Sequence, residues 1–288
     1  MIIFDGKALA SQIELDIKNK FTSPKQVSPE RSGGERSVGG LNLVILATTT
    51  DEASNTYVRM KQRLGERLGV TVQKVTVTAE TLSDELKKYA AMTEVTGLMV
   101  QLPIPSLDKK SLNNVLSLIP LTKDVDGLNP QNLALIKTGQ QTFLPATVLA
   151  VERIIAAAPL EFKLGLTTAA VVGANGMVGG PLSDRLEYLG FKVGRFDIGE
   201  TLTELRDFDV VVSCTGSPKL ITSELIKPGA IVIDVGYPQG DVDFENVKNK
   251  TSFITPVPGG VGPVTVASLM ENLVQLCHSG PRRGAFGS

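Results

Sequence analysis

Tyr57 and Lys61 stand four residues apart in a segment predicted to be helical, so their side chains share one helix face. A lysine serves as an acid or a base only where burial or a neighbouring group lowers its pKa. The spacing alone favours a plainer interpretation, an exposed lysine beside a half-buried tyrosine. The single histidine, His278, lies near the C-terminus, so other residue types are expected to carry any acid–base chemistry.

Two further segments place polar side chains where a ligand could bind. Gln101 ends the apolar stretch GLMVQ, and the carboxyl end of a parallel strand opens into the crevice where such sheets bind ligands. In KDVDG (123–127), two carboxylates precede a glycine, and an aspartate can accept paired N–H donors from a heterocycle. The alternatives are a glutamine that satisfies a loop backbone and an ordinary turn.

Two glycine-rich segments complete the candidates. VVGANGMVGGP (171–181) predicts a strand, a turn and a helix, an arrangement that often cradles a phosphate, but its G-x-x-G-x-x-G spacing differs from the usual G-x-G-x-x-G. This motif alone therefore does not identify the ligand. PVPGGVGP (256–263) alternates proline and glycine, which favours a rigid ligand wall over a flexible linker.

The elements that must position these residues follow an alternating pattern. Strands and helices alternate from residue 41 to 118, and again from 167 to 236 after a predicted helix at 146–158. This order predicts an α/β protein with mostly parallel sheets, the second part being Rossmann-like. Residues 22–40, rich in Ser, Gly, Pro and charge, predict a dispensable mobile surface loop, with a binding arm as the alternative.

The composition excludes several classes of function. The 288 residues suffice for two modest domains, and a net charge of −1 gives no electrostatic footprint for nucleic acid or an anionic membrane. No apolar stretch is long enough to span a bilayer and the first residues lack a secretion signal, which favours a cytoplasmic location. Cys214 and Cys277 fall in apolar segments, which predicts buried thiols and no metal site.

Taken in order, these segments resemble one family, the bifunctional methylenetetrahydrofolate dehydrogenase/methenyltetrahydrofolate cyclohydrolases. The resemblance covers nearly the whole chain except residues 22–40 and the last ten. It rests on the stretches DGKALA, SNTYVRMK, GLMVQLPIP, KDVDGLN, VVGANGMVGGP, DVVVSCTGSP, IKPGAIVIDVG, GDVDFENV and ITPVPGGVGPVTVASLMENL.

The resemblance implies a fold and an activity. We expect an N-terminal α/β folate domain at 1–144, a Rossmann-like nucleotide domain at 145–263, a cleft between them, and a C-terminal helix at 264–280 that packs back on the first domain. The expected activity is oxidation of 5,10-methylenetetrahydrofolate by NAD or NADP, followed by hydrolysis to 10-formyltetrahydrofolate. The resemblance also implies a homodimer, and a place in one-carbon metabolism and purine biosynthesis.

Site roles carry over by motif. Lys61 would be the acid or base of the hydrolytic step, and Gln101 would form a hydrogen bond with it. Tyr57 would stack on folate, and Asp126 would hold the pterin. Further folate contacts would come from Leu102, Pro103, Pro258, Gly259 and Gly260. Cofactor contacts would come from Gly173, Ala174, Asn175, Gly176, Val178, Gly179, Asp197, Thr215, Gly216, Gly236 and Tyr237.

Departures from the family bear mainly on the cofactor. PATV (145–148) replaces the usual P-C-T-P, GAN (173–175) replaces G-R-S, and the histidine–serine pair after the next strand is absent. Asp197 follows the glycine turn at the distance of a ribose 2′-OH acceptor, which favours NAD over NADP. Arg195 could instead clamp a 2′-phosphate, and Asp197 could be a solvated acid.

Two other functions stay open at this point. The chain could retain only one of the two activities, or it could bind folate or nucleotide without catalysis. Lys61, together with Tyr57, Gln101 and Asp126, argues against a mere binder, which has no need of the lysine.

Overall fold

The computed structural model describes residues 1–22, 40–48, 52–163 and 165–279, and strands alternate with helices along them as predicted. The strands are β1 Ile2–Ile3, β2 Asn42–Ala47, β3 Thr71–Thr76, β4 Gly97–Gln101, β5 Thr168–Val172, β6 Lys192–Phe196, β7 Val210–Ser213, β8 Ile231–Asp234 and β9 Phe253–Ile254. The α-helices are α1 Gly6–Thr22, α2 Glu52–Leu68, α3 Leu82–Ala91, α4 Lys109–Leu116, α5 Pro130–Leu133, α6 Ala146–Ala157, α7 Leu160–Lys163, α8 Gly179–Tyr188, α9 Phe244–Val247 and α10 Val261–Ser279.

These elements form two units. One unit comprises Ala10–Asn132 and Val266–Ser288, and the other comprises Met1–Leu9 and Leu133–Thr265. We call them the three-stranded unit and the six-stranded unit after their sheets. Their bounds differ from the predicted domain bounds, because β1 pairs with β9 and because Lys137 and Gly139 lie against helix α8.

The three-stranded unit has a parallel sheet in the order β3-β2-β4. Apolar strands β2 and β4 are buried, and their register places Ala47 opposite Gln101. Helix α2 buries Val58, Lys61, Leu64 and Leu68. Because these positions recur every three or four residues, Lys61 occupies one place in the buried stripe of an amphipathic helix.

The six-stranded unit has the order β1-β9-β8-β7-β5-β6, and every pair is parallel. Strand β5 lies between β6 on one side and β7 on the other, so the strand order reverses there, as at the ligand-binding edge of Rossmann-like sheets. The prediction of an α/β fold with parallel sheets and a Rossmann-like second part is therefore confirmed.

Some local predictions were wrong. The segments 202–208 and 222–229, predicted as helices, contain only the 3-10 turns Thr203–Asp207 and Ser223–Leu225, short pieces of the kind that commonly serve as connectors. Cys214 and Cys277 are half-buried rather than fully buried.

Two further expectations concern the loop at 22–40 and membrane-spanning segments. The predicted mobile loop falls almost entirely on residues 23–39, which lie outside the described residues. Across the described ranges, no helix combines the length and the apolar character that crossing a bilayer requires.

Candidate active site

Lys61 is the only lysine among the buried polar and charged residues that the structure describes, with 5% of its surface exposed. Its Nζ donates a hydrogen bond of 2.8 Å to Oε1 of Gln101. Burial lowers the pKa of Lys61 to about 8, since the charged form loses its hydration, while the nearby Asp126 carboxylate acts in the opposite direction. The side chain can therefore exchange a proton near neutral pH.

Gln101 is fixed at the carboxyl end of β4. Its Nε2 donates to the carbonyl oxygen of Leu102 at 3.0 Å, which leaves Oε1 as the acceptor for Lys61. Tyr57 lies one turn before Lys61 on α2 and is half-buried. Leu102 is half-buried and Pro103 is exposed. The structure thus brings Lys61 and Gln101 into direct contact, with Tyr57 on the same helix.

Asp126 lies in a loop whose shape depends on its neighbour Asp124. The buried Asp124 carboxylate accepts from the backbone N–H of Leu128 at 3.2 Å and of Asn129 at 2.8 Å. Burial raises the pKa of Asp124 to about 7. Burial also raises the pKa of Asp126, and the nearby charge of Lys61 opposes that rise. Asn272 of α10 donates to the carbonyl of Val125 at 3.0 Å, so the backbone on both sides of Asp126 is held.

The glycine turn after β5 is closely packed. Gly173 has a φ of +89°, and a Cβ there would lie 2.7 Å from the carbonyl oxygen of Cys214. The N–H groups of Gly173 and Ala174 both donate to the carbonyl of Phe196, at 2.9 and 3.0 Å. Helix α8 begins at Gly179, whose α-carbon abuts the Gly173 carbonyl, so a side chain has no room there. Val178 directly precedes the helix, and Gly176 is exposed.

Asp197 contacts this turn directly. Its Oδ2 accepts from the N–H of Asn175 at 3.0 Å, and its Oδ1 accepts from the N–H of Ile198 at 2.9 Å. Arg195 is bound elsewhere, with Nη2 2.6 Å from Asp184 and 3.0 Å from Glu187. Four features of this region fit a dinucleotide. They are the tight turn, its exposed backbone, the start of the ten-residue helix α8 and the acid after β6.

The turns after β7 and β8 hold the other predicted cofactor residues. The N–H of Thr215 donates to Asp241 at 2.7 Å, and the N–H of Gly236 donates to Asp234 at 2.9 Å. Gly216 has a φ of +68°, a conformation that favours glycine. Tyr237 is half-buried.

The proline–glycine segment also lies in the six-stranded unit, just before α10. The carbonyl of Gly259 accepts from the N–H of Gly6 at 3.0 Å, and the N–H of Gly260 donates to the carbonyl of Pro256 at 2.9 Å. A Cβ on Gly260 would lie 2.5 Å from that carbonyl oxygen, while Pro258 is exposed. These bonds and the close packing fix the segment, so it is no flexible linker.

Sequence reasoning missed the buried acids Asp234, Asp241 and Glu271, and it noted Asp124 only as one of the two carboxylates of KDVDG. Asp234 ends an apolar strand, and an acid in such a position was the available signal. Within the described ranges, no group of three or more His, Cys, Asp or Glu side chains could hold a metal ion.

Both halves of the chain match models of one family. Residues 4–126 match the catalytic domain of tetrahydrofolate dehydrogenase/cyclohydrolase, and residues 145–280 match its NAD(P)-binding domain. The chain belongs to this family.

Known relatives span the full chain. It is 34% identical to the bifunctional protein FolD of Helicobacter pylori, over 99% of this chain and 98% of that protein. The crystal structure of FolD from Campylobacter jejuni superposes with a TM-score of 0.82 at 32% identity, over 97% of this chain and 99% of that one. FolD from Trypanosoma brucei, solved with NADP and an inhibitor, gives a TM-score of 0.83 at 29% identity, over 98% and 99%.

Family membership establishes what the protein does. It is a bifunctional enzyme that oxidises 5,10-methylenetetrahydrofolate with a nicotinamide dinucleotide and hydrolyses the 5,10-methenyl product to 10-formyltetrahydrofolate. Retention of a single activity and binding without catalysis, the two alternatives left by the sequence, are therefore set aside.

Proposed function

We propose that Lys61 is the general base of the hydrolytic step, and that Gln101 holds it in place. The observation that carries this assignment is the buried Lys61 Nζ, bonded to Gln101 and with a pKa lowered to about 8. In its neutral form, this amine accepts a proton from the water that attacks the methenyl carbon. The ammonium of Lys61 returns this proton to N5 as the bond from that carbon to N5 breaks, the hydroxyl of the adduct loses its proton to solvent as the carbonyl forms, and the formyl group stays on N10.

Asp126 is proposed to bind the pterin ring rather than to transfer protons. Its carboxylate offers two oxygens to ring N–H donors, and the loop around it is fixed through Asp124 and Val125. Tyr57 is proposed to stack on the folate, an aromatic contact that needs the exposed part of its ring. Further folate contacts are proposed for Leu102, Pro103, Pro258, Gly259 and Gly260.

The dinucleotide is proposed to lie across the carboxyl edge of β6, β5, β7 and β8. Its pyrophosphate would bind the glycine turn and the start of α8, and when bound the nicotinamide ring supplies the hydride acceptor. The backbone of this turn and of the next two would hold it, through Gly173, Ala174, Asn175, Gly176, Val178, Gly179, Thr215, Gly216, Gly236 and Tyr237.

We propose NAD as the preferred cofactor. An NADP site needs cationic or strong donor partners for the 2′-phosphate. Arg195 is engaged by Asp184 and Glu187, and the carboxylate of Asp197 lies against the turn, where it would repel a phosphate and accept from a hydroxyl. The Trypanosoma brucei relative was solved with NADP, so cofactor choice would differ within the family.

The quaternary structure and location are also proposals. β6 is an edge strand of the six-stranded sheet, and Ile198 just after it is 58% exposed, which supports a homodimer formed through this unit. Light scattering on the purified protein tests the dimer. We further propose a cytoplasmic location, and functional domains at 1–144 for folate and at 145–263 for the dinucleotide, with a C-terminal helix at 264–280 that packs back on the first.

The decisive experiment for the catalytic proposal is Lys61→Met, which keeps the stem of the side chain and removes the amine. Hydrolysis of the methenyl compound, followed by its absorbance, should be lost while circular dichroism stays unchanged. Lys87→Met, at an exposed lysine of α3, is the matched control and should retain full activity. Near-normal hydrolysis by Lys61→Met would contradict the assignment.

A further inference from the structure

A pair of buried carboxylates lies under the turns that follow β7 and β8. Asp234 and Asp241 are 2% and 0% exposed. The N–H of Asp241 donates to Oδ1 of Asp234 at 3.0 Å, so the two side chains belong to one cluster. Burial of an acid is unfavourable unless hydrogen bonds compensate for its lost hydration, so two in contact call for an explanation.

The Asp241 carboxylate is compensated on one side only. Its Oδ2 accepts from the Ser213 hydroxyl at 2.8 Å and from the Thr215 N–H at 2.7 Å. Its Oδ1 is fully buried and has no hydrogen-bond partner. By contrast, both oxygens of Asp234 accept from backbone N–H groups, those of Gly236, Asp241 and Val242.

Two glycines leave room for this cluster. A Cβ on Gly236 would collide first with the unpartnered Oδ1 of Asp241, and a Cβ on Gly240 would lie 2.5 Å from Oδ2 of Asp234. Neither glycine has a positive φ, so space rather than backbone conformation requires them. The unpartnered oxygen therefore lies against the backbone of the turn that leaves β8.

The position of the cluster along the sheet edge suggests its role. In a Rossmann-like sheet the acid that reads the adenosine ribose follows the second strand of the fold, here β6 with Asp197. In the proposed placement the pyrophosphate would cross at β5, so the nicotinamide half of the dinucleotide would extend over β7 and β8. An oxidised nicotinamide ring carries a positive charge, and a reduced ring is neutral.

We propose that Asp241 is a positioning residue for the nicotinamide half of the cofactor. It fixes the turn after β7 through Ser213 and Thr215 and packs against Gly236 of the turn after β8, and its carboxylate favours the oxidised over the reduced dinucleotide. This inference rests on the proposed placement of the dinucleotide. A carboxylate oxygen that no donor offsets would act more strongly on a cationic ring than on a neutral one.

The test compares the dissociation constants of NAD⁺ and NADH by calorimetry, without turnover. Asp241→Asn preserves the size of the side chain and an acceptor for Ser213 and Thr215 but removes the charge. It should weaken NAD⁺ binding by roughly three- to tenfold and NADH binding by less than about twofold, as expected for a partly screened unit charge. Asp243→Asn, at a half-buried acid two residues away that accepts from Asn246, is the control and should change neither constant.

Equal weakening of both forms by Asp241→Asn, or no change in either, would overturn the inference. Should that variant not fold, Ser213→Ala serves instead. It withdraws one donor and keeps the charge, so both forms should weaken by about two- to threefold at a constant ratio. Unchanged affinity for both forms would overturn the positioning role.

The placement itself is tested separately with Asp197→Ser. Weaker NAD⁺ binding in that variant supports the placement, and unchanged NAD⁺ binding contradicts it. An unchanged NAD⁺ to NADH ratio in Asp241→Asn, beside weaker binding in Asp197→Ser, contradicts only the inference about Asp241.

Discussion

Replacement of Gln101 by glutamate gives the sharpest test of Lys61 as a base. The substitution puts a carboxylate oxygen where an amide oxygen now lies, 2.8 Å from Lys61 Nζ. An opposite charge at this range shifts a pKa by roughly 1 to 3 pH units, here upward because it favours the ammonium form. The pKa of Lys61 should therefore rise from about 8 to about 9 or higher.

The rate effect follows from the neutral fraction of Lys61. With a pKa of about 8, roughly a quarter of the side chains are neutral at pH 7.5. In the lower part of that range, a rise by roughly 1 to 2 pH units cuts the neutral fraction by roughly 10- to 100-fold, and the rate of hydrolysis should fall equally. Raising the pH should restore the rate, which loss of folding would not allow.

The assay is methenyl hydrolysis followed by absorbance between pH 6 and 10, corrected for the uncatalysed reaction. The wild-type rate should rise through an inflection near pH 8, and that of Gln101→Glu should rise at higher pH. Gln131→Glu, at an exposed glutamine of the same unit, should match the wild type. An inflection that stays in place in Gln101→Glu, or a rate that does not recover at high pH, would refute the reasoning.

Three further predictions concern binding and stability. Asp126→Ala should weaken folate binding by about 2–5 kcal/mol and leave dinucleotide binding unchanged, since one partner of a charge-assisted contact is lost; equal folate affinity in calorimetry would contradict this. Asp197→Ser should lower the ratio of kcat/KM for NAD to that for NADP, and a wild type more efficient with NADP would speak against the NAD preference. Arg67 and Lys18 lower the pKa of Glu14 to about 2, so this acid stabilises the fold above its unfolded pKa and less so as pH falls toward 2. Glu14→Gln should therefore reduce the free energy of unfolding by about 1–2 kcal/mol at pH 7 and by almost nothing at pH 2, as urea titration at the two pH values would reveal.

Periodicity made most of the fold predictable. The strands and longer helices bury regular apolar patterns, and those patterns are written in the sequence. The two-residue strands β1 and β9 escaped because two residues carry no period. The short 3-10 turns escaped because a stretch of three to five residues carries too little pattern to distinguish a 3-10 turn from an α-helix.

The site was predictable in part. The spacing of Tyr57 and Lys61 favoured an exposed lysine, yet Lys61 lies in the stripe of Val58, Leu64 and Leu68. The position of this lysine within an apolar stripe was the signal for its burial, and the comparison with Tyr57 alone did not show it. The bonds of Asp241 to Ser213 and Thr215 could not be predicted, since they depend on which strands become neighbours.

The pairing of β1 with β9 also determines when the protein can finish folding. Each unit joins two segments that are distant along the chain, so the six-stranded sheet and the cores of both units are incomplete while the C-terminal part is still being synthesised. The backbone groups at the edge of β9 stay unpaired until Ile2 and Ile3 pair with them, and contacts so distant along the chain form slowly. A ribosome-bound chain therefore exposes apolar strand edges for nearly the whole of translation, and chaperones that cover such edges should matter most during that interval.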